Sequence, residues 1–177
     1  TEKGLIVGDK EYGLAVVILA TGFDAGTGSL SQMNIRGKDG RSLTAEWKKD
    51  IRSTLGLQVA GYHNLFTVAG PLAPSTAFCN MTTCLQQQVD WVTDCIAYLH
   101  DKGRLSIEPT PEKQDEWVQH HDETSNATLL VKTKSWYTGA NIEGKPTRLL
   151  SYIGGVGKYR SICQEVKDSE YQGFTVV

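Results

Sequence analysis

The chain has 177 residues, 40% of them apolar and 21% charged, with a formal net charge of -2. That length can bury the core of one domain, and the near-balanced charge provides no basic field for nucleic acid. The longest apolar run, Leu14 to Ala20, is far short of the roughly 20 residues that cross a bilayer, and no signal-peptide layout opens the chain, so a cytoplasmic protein without a membrane span is expected.

In chain order, residues 2–20 read as two short strands around the turn tripeptide Gly8-Asp9-Lys10, followed by the apolar run Val16-Val17-Ile18-Leu19. Four apolar residues without alternation suit a strand covered on both faces. The run ends abruptly in Ala20-Thr21-Gly22. A buried strand delivered into a small-residue turn is where α/β proteins place nucleotides, and Gly22 lets the backbone come close to a ligand. Asp24 to Gly28 is a Gly-rich connector, followed by a short strand at Gln32 to Arg36 and the turn Gly37-Lys38-Asp39-Gly40. Leu65 to Val68 is another short apolar strand, ended by Gly70-Pro71.

Three helices follow. Phe78, Met81, Leu85, Val89, Val92, Ile96 and Leu99 recur at three- and four-residue steps, with Ser75 or Thr76 as cap and Gly103 as stop. The start of such a helix offers unpaired N-H groups and a partial charge of about +0.5. A second helix takes Thr110 as cap, Pro111 at its first position and Glu112 in its first turn, and runs to about Asn126 with Trp117, His121 and Thr124 inward. Here His121 is expected to be a solvated or hydrogen-bonded helix residue rather than a ligand. A third helix carries Tyr159, Ile162, Cys163 and Val166, with Gly157-Lys158 before it. A phosphate loop is rejected there, because Tyr152 and Tyr159 stand where the Walker pattern requires Gly and Ser or Thr. Between the last two helices, residues 132–148 combine Gly139, Gly144 and Pro146 with an isolated Trp136. This composition suggests a mobile loop able to fold over a ligand.

Cys79, Cys84, Cys95 and Cys163 are even in number, but Cys84, Cys95 and Cys163 sit on apolar helical stripes, so buried reduced thiols are expected. No Cys-x-x-Cys pair exists and His120-His121 are adjacent, which argues against a metal site. Two glycosylation sequons, at Asn80 and Asn126, lack the secretory context that would give them meaning.

A wider resemblance emerges from Ala20-Thr21-Gly22-Phe23-Asp24, Met33-Asn34-Ile35-Arg36-Gly37, Asn64-Leu65-Phe66-Thr67-Val68-Ala69-Gly70-Pro71, Gln88-Val89-Asp90-Trp91 and Ser135-Trp136-Tyr137-Thr138-Gly139-Ala140-Asn141-Ile142 with Gly144-Lys145. Lys158-Tyr159-Arg160 and Tyr171-Gln172-Gly173-Phe174 complete the series. Taken together these resemble the C-terminal portion of class B flavoprotein monooxygenases, in particular the Baeyer-Villiger monooxygenases acting on cyclic, aryl or steroid ketones. The two Gly-x-Gly-x-x-Gly motifs of that family, its fingerprint motif and its catalytic Arg and Asp are not in this chain.

The resemblance implies an α/β fold built from two Rossmann-like dinucleotide-binding domains. Residues 1–20 would close the NADP-binding domain, 21–28 would be a linker, and 29–177 would belong to the FAD domain. The implied reaction inserts one oxygen atom from O2 beside a ketone to give an ester or lactone, using FAD and NADPH. Met81 would face FAD and Trp136 would contact NADP, with Ala20, Thr21 and Gly22 also at the cofactor. Phe78 and Met81 would line the substrate pocket, and no catalytic residue would come from this chain. Alone, without the N-terminal portion as its partner, it is expected to be inactive. Alternatives are an enzyme that oxygenates nitrogen or sulfur, or a non-catalytic interaction module.

Overall fold

The computed structural model describes residues 1–75 and 78–177. It opens with the expected hairpin: β1 (Gly4–Val7) pairs antiparallel with β2 (Lys10–Gly13) across Gly8. The apolar run that follows is not a strand. Val16 to Leu19 has no regular structure and is exposed, Ile18 at 84%. A strand of this composition is held by neighbouring strands on both sides, and among the described residues none pairs with it.

The expected strand at Gln32 to Arg36 is also replaced. A short helix α1 (Gly28–Gln32) occupies its start, Asn34 turns the chain with a φ of 52°, and what remains is a single bridge between Arg36 and Ser42. Helix α2 (Leu43–Trp47) follows, its first turn capped by the Ser42 side chain. Leu65 to Val68 forms no strand either. Its backbone is tied instead to distant segments, with Asn64 N-H donating to Ile107 C=O at 3.0 Å and Thr67 N-H to Leu57 C=O at 2.8 Å.

The expected long helix is present as α3 (Met81–Asp101), but its cap is Asn80, whose side chain accepts from Thr83 N-H. Ser75 lies well before the helix start, and Thr76, the other expected cap, lies outside the described residues. The helix also turns a different face inward: Cys84, Gln88, Trp91, Cys95 and Leu99 are buried, whereas Val89 and Ile96 are exposed. Trp91 decides this orientation. Its indole N-H donates to Cys163 C=O at 3.1 Å and its ring packs edge-on against Tyr171, which draws that side of α3 into the core.

Helix α4 (Pro111–Asn126) starts as its sequence dictates, with Thr110 accepting from Lys113 N-H and Pro111 in the first turn. Its inner face is Gln114, Trp117, Val118, His121 and Ser125, with Thr124 half-buried. Helix α5 (Val156–Asp168) buries Tyr159, Cys163 and Val166; Gly157 and Lys158 lie inside its first turn rather than before it. A second antiparallel pair, β3 (Ile107–Pro109) with β4 (Phe174–Val176), brings the C-terminal segment against the start of α4. The main core gathers residues of α3, α4 and α5 around Leu55, Leu57 and Tyr152. A smaller one, around Leu43, Trp47, Ile51 and Leu150, lies under α2.

The thiols divide. Cys79 and Cys84 are joined by a disulfide, contrary to the expectation of four reduced thiols, because the turn into α3 brings them together across Asn80. Cys95 and Cys163 are free and buried as expected. Burial pushes both thiols up to about 11, so they stay protonated and unreactive near neutrality. No helix among the described residues is long and apolar enough to cross a membrane.

Candidate functional site

Three segments distant in sequence converge on Trp136. The first is the irregular stretch 69–75, which is fixed although it belongs to no helix or strand. Gln88 of α3, fully buried, accepts from Ala69 N-H at 2.7 Å and donates to Pro74 C=O at 3.4 Å. Ser53 Oγ donates to Pro71 C=O at 2.6 Å. Leu72 N-H donates to Leu150 C=O at 2.9 Å and Tyr152 N-H to Ala73 C=O at 3.0 Å, so residues 150–152 run alongside as a second rail. Ala69 and Leu72 adopt φ values of 55° and 70°, a conformation that side-chain-bearing residues hold only where their surroundings enforce it.

The second segment is the turn Trp136–Thr138, a short 3-10 helix closed by a reciprocal cap between Ser135 and Thr138. It leads with Trp136, 44% exposed, which stacks on Tyr137 at 3.7 Å between ring centroids. Phe78 meets Tyr137 edge-on at 5.7 Å. The third segment is 20–26, at the end of the exposed apolar run.

Between these segments lie two adjoining clefts. One, of about 210 Å³, is bounded by Ala25 and Gly26, by Ala69 to Pro71 with Ser75, by Met81, and by Trp136, Tyr137, Leu150 and Ser151. Its neighbour, of about 520 Å³, is bounded by Ala20 to Phe23, Ala25, Trp136 and Asn141. Ala25 and Trp136 belong to both. Of the residues singled out from sequence, Ala20, Thr21, Gly22 and Trp136 therefore share one cleft, and Met81 joins Trp136 at the other. Phe78 is not among the residues lining either cleft; it lies one ring behind, against Tyr137.

The sequence singles out neither Leu150 nor Ser151; Ser75 enters only as a candidate helix cap, and Tyr137 and Gln88 only within motifs. The signal for Ser151 was weak, since a lone polar residue between Leu150 and Tyr152 has no local pattern. Its place is set by its partners. Its hydroxyl contacts Ser75 Oγ, and its carbonyl accepts from His121 Nε2 at 3.2 Å. That carbonyl can only accept, so Nε2 carries a proton. His121 Nδ1 faces Asp122 Oδ1 at 3.4 Å, a hydrogen bond only when that nitrogen is protonated as well. His121 is thus hydrogen-bonded and fully buried rather than solvated. Arg148 extends the network, donating to Asp122 at 3.1 Å and to Asp50 and Ile51 C=O at 2.6 Å each. Burial would raise the Asp122 pKa, but the His121 hydrogen bond and the Arg148 guanidinium outweigh it and hold the carboxyl below its usual value. Immediately before His121, His120 Nε2 lies 2.9 Å from Tyr152 Oη, and burial, then the nearby Lys158, lowers its pKa.

The chemistry available at the clefts is limited and specific. No carboxylate, imidazole, thiol or amine is among the described residues that line them, which offer hydroxyls, an amide, aromatic faces and apolar walls. Such a site can hold, orient and dehydrate a ligand, but it brings no proton donor or base of suitable pKa. No group of three potential metal-ligating side chains occurs among the described residues.

Comparison with known proteins adds a second line. No protein-family model matches the chain. It is 53% identical over 176 residues, 99% of its length, to an acetone monooxygenase (methyl acetate-forming) of Gordonia sp. strain TY-5, of which it covers 33%. It is 38% identical over 175 residues, 98% of its length, to the phenazine N-monooxygenase PhzNO1 of Lysobacter antibioticus, of which it covers 32%. A crystal structure of OTEMO in complex with FAD and NADP superposes with a TM-score of 0.90 and 36% identity, covering all of this chain and 32% of that one. The chain therefore spans about a third of the length of the curated relatives it matches.

Proposed function

We propose that this chain, which belongs to the Baeyer-Villiger monooxygenase family as a segment matching about a third of its relatives, forms the cofactor- and substrate-facing walls of an FAD- and NADPH-dependent ketone monooxygenase. The observation that carries this reading is the pair of adjoining clefts sharing Trp136, whose lining contains no acid or base. A wall of this kind suits a reaction in which cofactors do the chemistry and the protein supplies placement and water exclusion. We take residues 1–20 as the closing part of an NADP-binding domain, 21–28 as linker and 29–177 as part of an FAD domain, both Rossmann-like in the complete enzyme. The exposed Val16 to Leu19 run supports this, since it needs strand neighbours that would come from the remainder of the enzyme.

The residues present fit the cofactors. Trp136 is a half-exposed indole on the border of a cleft of about 520 Å³, room for part of a dinucleotide, and a Cβ built on Gly22 meets nothing within 4 Å. Trp136, with Ala20, Thr21 and Gly22, would hold NADP, and Met81 would face FAD. When bound, the two cofactors supply reducing equivalents and activate oxygen. Phe78 and Met81 shape the ketone's side of the smaller cleft, Phe78 acting through Tyr137. The first turn of α3 presents N-H groups without intrahelical partners, apart from that of Thr83, which Asn80 takes. These groups and the Ser75 and Ser151 hydroxyls orient polar edges, while Leu150 and Pro71 exclude water. For the substrate we favour a small ketone and an ester product, following the 53% identical relative. The similarity to a phenazine N-monooxygenase supports a second reading, oxygenation of an aromatic nitrogen.

The test uses the complete enzyme that contains this chain. Purified, it should show bound flavin in its visible spectrum and convert acetone or cyclohexanone with NADPH and labelled O2 into an ester carrying one labelled oxygen. An N-oxide from phenazine without any ester would favour the second reading. Neither product, in a flavin-containing sample, would refute both.

A further inference from the structure

Both clefts have one wall in segment 20–26 and another in loop 132–148, so their shape depends on what holds the two together. The contacts are specific. Asn141 Nδ2 donates to Phe23 C=O at 3.1 Å. Lys145 Nζ donates to Ala25 C=O at 3.0 Å and pairs with the Asp24 carboxylate. The Lys145 side chain is only 8% exposed, unusual for a lysine unless its charge is matched. Asp24 is itself placed by the linker it belongs to: its carbonyl accepts from Gly28 N-H at 3.1 Å as α1 begins, and its carboxylate accepts from Thr27 Oγ1 at 3.4 Å.

The loop is shaped to deliver that ammonium. After the Trp136–Thr138 turn, Gly139 takes a φ of 73°, Ile142 N-H donates back to Gly139 C=O at 3.2 Å, and Lys145 N-H donates to Ile142 C=O at 3.3 Å. These successive turns fold the lysine stem back over Gly139. A Cβ built on Gly139 would lie 3.2 Å from both Lys145 Cδ and Cε, so a side chain there would be strained by the backbone conformation and would push the lysine stem aside. At the loop's far end Arg148 is fastened to Asp50 and Asp122, so the base is anchored independently of the tip.

From this geometry we infer that Lys145 is a positioning residue: its buried ammonium latches loop 132–148 onto Asp24 and Ala25 and thereby sets Trp136 against both clefts. The latch rests on the proposed cofactor role of Trp136 only for its effect on NADPH. Its mechanical part stands on the contacts alone. An ammonium that donates both to a carboxylate and to a carbonyl in a mostly buried position is a strong, direction-setting contact. Methionine at 145 would keep the apolar stem over Gly139 and remove the charge. Arginine would keep the charge and reach the same acceptors.

In the complete enzyme, Lys145→Met, Lys145→Arg and Asp24→Asn would be compared by hydrogen exchange of loop 132–148 without NADPH, by flavin content and by KM for NADPH. Loss of the latch should speed exchange across residues 136–145 by about tenfold and raise KM for NADPH by about the same factor. Flavin content should be unchanged, and Lys145→Arg should restore both values most of the way. Exchange in the loop unaffected by both Lys145→Met and Asp24→Asn would overturn the latch. Faster exchange with an unchanged KM would support the latch and overturn the cofactor assignment of Trp136. Should Lys145→Met lose its flavin, Asp24→Asn, which leaves the stem and Gly139 untouched, decides in the same way.

Discussion

Gln88→Leu is the perturbation with the clearest expected size. Gln88 is fully buried in α3, and both ends of its amide serve the cleft-lining stretch 69–75. Leucine fills nearly the same volume but leaves Ala69 N-H and Pro74 C=O without their partner. The bond to Ala69 is the stronger, at 2.7 Å, and it supports a residue held at φ 55°. Its loss should cost about 1.5 kcal/mol, since Ala69 is only half-buried and water can replace part of the bond. The 3.4 Å contact to Pro74 adds about 0.5 kcal/mol. A total of about 2 kcal/mol corresponds to an opening equilibrium raised about 30-fold. Native-state hydrogen exchange of the complete enzyme should therefore show peptides spanning residues 65–75 exchanging about 30-fold faster, with α4 peptides unchanged. Gln86→Leu, on the exposed face of the same helix, serves as the control and should change nothing by more than about 0.5 kcal/mol. Exchange of 65–75 altered by less than about threefold would refute the idea that Gln88 clamps this wall, and equal acceleration in α4 would show global rather than local loosening.

Further outcomes follow from the same contacts. Trp136→Ala in the complete enzyme should raise KM for NADPH about fivefold while flavin is retained, from the loss of one aromatic contact of about 1 kcal/mol; lost flavin with an unchanged KM would move Trp136 to the other cofactor. Asp122 has a folded pKa held below its usual 3.8, so the folded protein binds fewer protons there than the unfolded chain. Its stabilisation is complete above that value and disappears as pH falls through the lower folded one. Thermal midpoints of wild type and Asp122→Asn should thus differ most near neutrality and converge as pH falls below 3.8 and through the lower folded value, and a gap constant with pH would exclude the linkage. Denatured without reductant, this chain should contribute two free thiols, Cys95 and Cys163, and four after reduction, read by peptide mapping of the alkylated cysteines. Four from the start would restore the expectation of reduced cysteines throughout.

What was legible in the sequence is what local chemistry decides. Thr110-Pro111-Glu112 sets the start of α4 because a cap, a proline and a first-turn carboxylate act within four residues. Gly8 sets the hairpin, and the spacing of Tyr159, Cys163 and Val166 sets the inner face of α5. The resemblance carried by motifs such as Ser135 to Ile142 placed Trp136, Met81 and the 20–22 turn as candidates before any of them could be seen near one another. The exposed run at Val16 to Leu19 shows the limit of such reasoning, since an apolar sequence specifies that a segment wants cover but not where the cover comes from.

Tertiary structure decided the rest. The three- and four-residue period of α3 fits two overlapping faces, and the one buried was chosen by the Trp91 hydrogen bond to α5, 72 residues away. The cap is Asn80, whose side chain accepts from Thr83 N-H, while Leu72 and Ala73 are held alongside residues 150–152 well before the helix begins. The clefts are assembled from residues within the stretches 20–26, 69–81 and 136–151, and no short window of sequence contains more than one of these stretches. Sequence alone determined the three long helices and which residue types were available for binding, but not the short helices α1 and α2. Hydrogen bonds and ion pairs between distant segments, at Gln88, Ser151 and Lys145, determined which of those residues meet, because a contact between segments far apart in sequence depends on the packing of everything between them.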